Sequence, residues 1–284
     1  NISSNRNIVK DLGGVDFIPV NIGGGWITNA GRVIEGESLG NAYGYEFDGV
    51  YQISDFNWQN DSDATIPHEQ RDYVLNEGVV TVDGINVQPG SFKFKDLNGD
   101  GTIDVDNDRT SISRSFPKHF GGINNTFNYK NFDLSVMFNW SYGNEIFNEA
   151  KYRLEGGVSN TWMNISEDFF SNRWTPENPT NQYGTFADDL WNRTSLLASS
   201  YYVEDASWLR LQNISFGYAL PGKWIKEMGI DYARIYFTGT NLYTWTNYSG
   251  FDPEIHSGNS LLPGYDRLTY PRTKTFTFGA SFTF

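Results

Sequence analysis

The chain contains no cysteine, so it has no disulfide framework, no thiol nucleophile and no zinc-thiolate site. Its three histidines, His68, His119 and His256, are far apart in sequence, which argues against a histidine-based triad or metal centre. No apolar run approaches the ~18 residues that a membrane-spanning helix needs. Positive charge is scarce: 21 Lys and Arg stand against 34 Asp and Glu, a formal charge of −13. With no basic stripe to neutralise phosphates, a nucleic-acid partner is excluded. The opening residues, Asn1-Ile-Ser-Ser-Asn-Arg6, show no initiator Met, basic segment or apolar stretch of a signal peptide. The expectation is a chain that starts within a longer protein or follows a removed leader.

What the sequence does have is aromatic side chains, 17% of residues, and an alternating pattern that places them. In the segment 272–284, Phe276, Phe278, Ala280, Phe282 and Phe284 share one parity, and Thr275, Thr277, Gly279, Ser281 and Thr283 share the other. Such alternation specifies a β-strand with one apolar and one small polar face. A soluble sandwich would usually carry charges on the outer face. Phenylalanines on one side and hydroxyls on the other suit a transmembrane barrel strand, with bulk toward lipid and small polar groups toward a wet lumen.

Taken in order, residues 1–11 suggest one weak strand, followed by a Gly13-Gly14 turn and a long irregular excursion over 12–117 that should hold small strands of its own. Clear strands begin near His119. Ile123, Asn125, Phe127 and Tyr129 share a face, the chain turns at Tyr129–Asn131, and Phe132, Leu134, Val136, Phe138, Trp140 and Tyr142 alternate with polar residues. A second excursion, rich in Asn, Trp and Pro, covers about 144–200. The strand at 202–220 breaks parity between Leu211 and Ile214, which predicts a bulge near Gln212–Asn213. Pro221–Gly229 predicts one or two helical turns, with Pro near the start and Gly at the stop. A strand over about 231–245 and a third excursion over 246–271 lead to the closing strand.

The pattern is therefore about six long strands whose connections alternate long and short, the loop asymmetry of an outer-membrane barrel. The closing strand would run from outside to inside. Trp140, Tyr142, Tyr243 and Trp245 would form an outer aromatic girdle and Tyr129 an inner one. Barrels start at about eight strands, and an open edge in lipid leaves backbone groups unpaired. So the expected fold is all-β, a transmembrane antiparallel barrel, with residues 1–284 forming only its C-terminal part. A rival reading is a secreted, soluble all-β carbohydrate-binding module or hydrolase. A further one is a passive structural or adhesive barrel.

Several phrases resemble the SusC/RagA family of TonB-dependent outer-membrane transporters. They are Glu35–Gly40 leading to Tyr43-Gly-Tyr-Glu-Phe-Asp-Gly-Val-Tyr51, Asp96–Asp104 with Asp108-Arg-Thr110, Phe120–Phe127, Tyr129–Leu134, Tyr142-Gly-Asn144, Tyr202–Asn213, Gly239–Tyr243, Thr246–Glu254 and Tyr270-Pro-Arg-Thr273. They run over nearly the whole chain, in family order. The resemblance implies a barrel of roughly 22 strands plugged by an N-terminal domain, of which this chain supplies about six strands and not the plug. It implies no enzyme activity but active import of oligosaccharides or peptides. The partners it implies are a SusD-like surface lipoprotein, the TonB complex acting through the plug, the remaining barrel strands and outer-membrane lipid.

One candidate site follows from spacing. Asp96, Asn98, Asp100, the Thr102 carbonyl and Asp104 repeat oxygen donors at alternating positions around Gly101, as in a calcium loop. The usual acidic twelfth position is Asn107, with Asp108 one step later and Asp106 one earlier; Asp108 is taken as the closing candidate. Ca²⁺ or Mg²⁺ is the expected ion; a solvated acidic turn is the alternative. Trp58, Trp162, Trp174 and Trp191 fall in the presumed external loops, where they would pack loops together, stack on sugars or pack against the SusD-like lid protein. Asp252-Pro-Glu254 has the composition of a carboxylate pair, but after Gly250 it is more simply a turn.

Overall fold

A computed structural model describes residues 1–21, 30–58, 65–155, 164–186, 194–255 and 257–284. Six strands form one antiparallel sheet in chain order, here called the wall: β1 (Ile2–Ser4), β2 (His119–Tyr129), β3 (Phe132–Tyr142), β4 (Trp208–Ala219), β5 (Tyr232–Thr246) and β6 (Thr275–Thr283). The long strands match the periodicity read from the sequence, except that the strand expected over 202–220 enters the wall only at Trp208, Val203–Asp205 pairing instead with Glu145–Phe147. The N-terminal strand is shorter than expected, with only Ile2–Ser4 paired, to Gly121, Phe120 and His119. β1 and β6 each pair on one side only, so the sheet has two open edges.

At one end of the wall the connections are tight. Tyr129 pairs with Phe132 across a two-residue turn in which Lys130 takes φ +52°. The 219–232 connection holds a helical turn, Gly222–Ile225, then a 3-10 turn stopped by Gly229 at φ +72°. That is the expected Pro-start, Gly-stop arrangement, because only Gly enters the left-handed region without strain.

Across the wall, one face carries the rows Phe127–Leu134–Phe216–Phe237–Phe278 and Tyr129–Phe132–Tyr218–Ile235–Ala280. The opposite face carries Thr126–Ser135–Ser215–Thr238–Thr277. The apolar face is bare among the described residues: Phe278 is 79% exposed, and Ile123, Phe127, Phe132, Ile235, Phe276 and Phe282 are exposed with it. On the polar face Arg234 grips Asp133 through two bonds, Nε to Oδ1 at 3.0 Å and Nη2 to Oδ2 at 2.5 Å. A Cβ on Gly217 would overlap this pair, so glycine is needed beneath it.

The expected bulge is present, and it grows across the sheet. Val136 to Phe138 on β3 faces Ile214 to Leu211 on β4, one residue longer, with Gln212 as the extra residue. Those β4 residues face Gly239 to Tyr243 on β5, longer again. Gln212 Nε2 donates to Asn241 Oδ1 at 2.9 Å, and Asn241, at φ +54°, donates from Nδ2 to the Thr273 carbonyl at 3.1 Å.

At the other end the three long excursions meet in one cap. The 12–117 segment is not structureless. It holds short paired strands, among them Phe17–Val20 with Gly31–Ile34, Phe47–Val50 with Phe92–Phe94, and Phe56–Trp58 with Tyr73–Leu75. Glu145–Asn148 pairs with both Val203–Asp205 and Tyr265–Asp266, tying the second excursion to the third. Tyr51, Phe92, Phe94, Phe147, Tyr152, Trp174, Tyr202 and Leu262 are all buried in its core. The conventional hydrophobic interior of this chain therefore lies in the cap, and the wall wears its apolar side chains outward.

Candidate functional site

The polar face of the wall continues into the cap at Arg210. Its position on β4, opposite Asn139 and Thr244, turns it to that face. The residue is 1% exposed. Its guanidinium donates from Nε to Thr244 Oγ1 at 2.9 Å, from Nη1 to Glu254 Oε2 at 2.8 Å and from Nη2 to Asp252 Oδ1 at 2.5 Å. It also lies 4.9 Å from the centroid of the Trp208 ring. Arg272 closes the cluster, with Nη2 donating to Glu254 Oε1 at 2.6 Å and its backbone N–H to Asp252 Oδ2 at 3.3 Å.

Asp252 and Glu254 are thus more than a turn. With both carboxylates occupied by arginines, neither is set up as a free acid or base, and the pair fastens the third excursion to the wall. A groove of about 530 Å³ opens beside it on the polar face, lined by Phe120, Asn124, Met137, Asn139, Trp208 and Glu254. Flat aromatic surfaces and amides in one groove can stack on, and hydrogen-bond to, a polar organic solute.

The girdle residues fall at the two ends of the wall as expected. Tyr142, Tyr243 and Trp245 are exposed at the cap end and Tyr129 at the turn end. Trp140 Nε1 donates to His119 Nδ1 at 3.1 Å, and the His119 ring stacks on Tyr142. Of the excursion tryptophans, Trp174 is 1% exposed; it packs on His68 and donates to Gln52 Oε1 at 3.0 Å, so it has no free face for a sugar. Trp58 carries the Arg71 guanidinium over its ring. Trp162 and Trp191 lie outside the described residues.

The acidic loop is built from its own backbone. Asp96 accepts from Gly99 N and Gly101 N, Asn98 from Asp100 N, and Asp100 from Thr102 N. Asp104 accepts from Asp106 N and from the backbone and side chain of Asn107. These bonds, the Asn107 side chain first, hold its carboxyl below the ordinary value of 3.8. Their contribution is present above that value and is lost as the pH falls through the lower, folded-state one.

Asp108, which sequence spacing offered as the closing ligand, is fully buried at the loop's base, where it accepts from Leu97 N and Asp104 N at 2.8 Å each. No group of three or more Asp, Glu or His side chains converges on one point among the described residues.

No protein-family model matches the chain. Curated relatives do. TonB-dependent receptor P3 of Formosa agariphila is 34% identical over 292 residues, covering 100% of this chain and 26% of the relative. TonB-dependent receptor P26 of the same organism is 32% identical, again over 100% of this chain and 26% of the relative. TonB-dependent receptor SusC of Bacteroides thetaiotaomicron is 29% identical over 70% of this chain and 18% of the relative.

Among solved structures, the RagAB peptide transporter superposes with a TM-score of 0.66 at 20% identity, covering 98% of this chain and 26% of that one. The fold is shared with that peptide transporter. The chain belongs to the SusC/RagA family of TonB-dependent receptors, and it spans 18–26% of the length of the relatives it matches.

Proposed function

We propose that the wall is about six strands of a larger outer-membrane barrel that imports an oligosaccharide or peptide, driven by TonB and capped outside by a SusD-like lipoprotein. One observation carries the reading: a six-stranded sheet bears an uncovered apolar face, while its polar face is the one the cap folds toward. Water does not tolerate so large an apolar patch on a stable protein, whereas the hydrocarbon of a bilayer does. The two open edges need further strands, since unpaired backbone cannot face lipid. No helix among the described residues is long and apolar enough to cross a membrane, which has no bearing on a barrel.

On this reading the chain is the C-terminal part of the barrel, the plug lies elsewhere in the protein, and the chain itself catalyses no reaction. The cap faces the cell exterior, and the tight turns face the periplasm. Energy must arrive mechanically through the plug, because an outer membrane has no ATP. The full-length protein is expected to co-purify with a SusD-like lipoprotein and to accumulate its substrate only in cells that contain TonB. Unchanged uptake in a strain lacking TonB would reject the mechanism in favour of an open porin. The rival soluble module is separated more simply, because it would be released without detergent and would migrate identically on gels before and after boiling.

A divalent cation in the acidic loop is a second proposal, supported by the donor spacing of Asp96, Asn98, Asp100, Thr102 and Asp104 in a rigid, backbone-braced turn. Calorimetric titration of the purified protein with Ca²⁺ should then show binding that Asp100→Ala abolishes. A wild-type protein that takes up no Ca²⁺ would leave the loop as a hydrogen-bonded turn alone.

A further inference from the structure

Where the first wall strand leaves the sheet, residues 4–8 run beside 114–118 and past the 36–38 turn, bordering an open surface pocket of about 540 Å³ whose cationic side chains are solvent-exposed. Its walls are held by backbone bonds. Val9 N donates to the Glu37 carbonyl and Gly36 N to the Val9 carbonyl, both at 2.9 Å. Asn7 Oδ1 accepts from Leu39 N and Ser38 Oγ at 2.7 and 3.0 Å. On the other side Glu145 N donates to the Arg114 carbonyl at 2.7 Å, and Lys118 N to the Tyr142 carbonyl at 2.8 Å.

Three cationic side chains, Arg6, Arg114 and Lys118, line this pocket, and no Asp or Glu does. In a chain with 34 acidic residues against 21 basic ones, that is a local reversal of charge. None of the three belongs to an ion pair among the described residues. Two carboxylates lie nearby and pair with neutral donors: Glu37 accepts from Ser111 Oγ, and Glu145 Oε2 from the Arg114 backbone N–H at 2.8 Å.

We propose that this pocket binds a phosphate monoester group. Two guanidinium forks and one ammonium, brought in from two chain segments, can surround a tetrahedral dianion with charge-assisted hydrogen bonds. Ser4 and Asn5 add neutral donors at the same wall. A carboxylate has only two oxygens in one plane and would leave part of this set unmatched, and a neutral solute would gain no attraction from the three charges. The phosphate can belong to a lipid headgroup at the rim of the wall or to a soluble ligand; the lipid source and the gel control rest on the outer-membrane barrel reading, while the soluble source does not.

The test uses the full-length protein, with glucose 6-phosphate in detergent solution and diphosphoryl lipid A in neutral phospholipid vesicles as the two probes. Glucose is the uncharged control. Binding is expected in at least one phosphate arm and not with glucose, and the responding arm identifies the source. Arg114→Gln/Lys118→Gln should weaken it by about a hundredfold, and Arg6→Gln alone by about tenfold, at roughly tenfold per charge-assisted contact. Gel mobility before and after boiling should remain that of the wild type, separating lost binding from lost folding. Silence in both phosphate arms, or affinities unmoved by the substitutions in a folded protein, overturns the assignment.

Discussion

Phe278→Arg is expected to destabilise the protein by about 2–4 kcal/mol in a bilayer, the cost of a cation on the lipid side of a barrel near mid-depth. Phe278 closes the row that begins at Phe127 and passes through Leu134, Phe216 and Phe237. Its neighbour Thr277 closes the row of hydroxyls on the opposite face, so Thr277→Arg meets a wet lumen and should cost much less. Urea unfolding of the full-length protein in lipid vesicles measures both. Equal penalties for the two substitutions would mean that neither face meets hydrocarbon, and the membrane reading would fall. Two residues adjacent in sequence should thus differ more than residues on distant strands that share a row.

Arg210→Met is the second large effect. The substitution keeps much of the side-chain volume but leaves Asp252, itself buried, without its partner. Breaking a buried pair by removing one member typically costs about 3–5 kcal/mol, most of it the penalty of the stranded charge. Glu254 is half-exposed and also held by Arg272, so its share should be small. The expected result is a loss of hydrogen-exchange protection over residues 248–272, with the turn end of the wall unaffected. Adding Asp252→Leu should restore part of the lost stability, because the unpaired carboxylate is then gone. Unchanged exchange in Arg210→Met would show that other contacts hold the third excursion down.

Much of the wall is legible in the sequence because its strands are long enough to display a period of two. The alternation over Phe132–Tyr142 and Thr275–Phe284 assigns every side chain to a face, and the parity break after Leu211 announces the bulge. On β5 the alternation is equally clean but hides more. Tyr243 and Gly239 keep their faces only because two residues are absorbed between the ladder positions of Val136 and Phe138's partners, a detail that pairing alone reveals.

The cap resists such reading for a physical reason. Its strands span two to four residues, too few for periodicity, and its core is assembled from segments a hundred or more residues apart, as in the contact of Trp174 with Gln52. The clamp is hidden likewise. Arg210 looks like one charge in a strand until a residue 42 positions away is brought against it. Nor does spacing say that Asp108, offered as a ligand, would be buried under the loop it closes.

The bulge at Gln212 bears on how faithfully the sheet assembles. A strand of period two has a competing arrangement one residue out of step, which turns every side chain to the other face. Were Gln212 to take an ordinary place in the ladder, Arg210 would swing from the clamp to the apolar side, next to Leu209 and Leu211 as they moved inward. There it would sit on an apolar face without its two carboxylates, a loss of both ion pairs. The buried arginine that fastens the cap is thus also a guard on registration: it makes the slipped sheet costly.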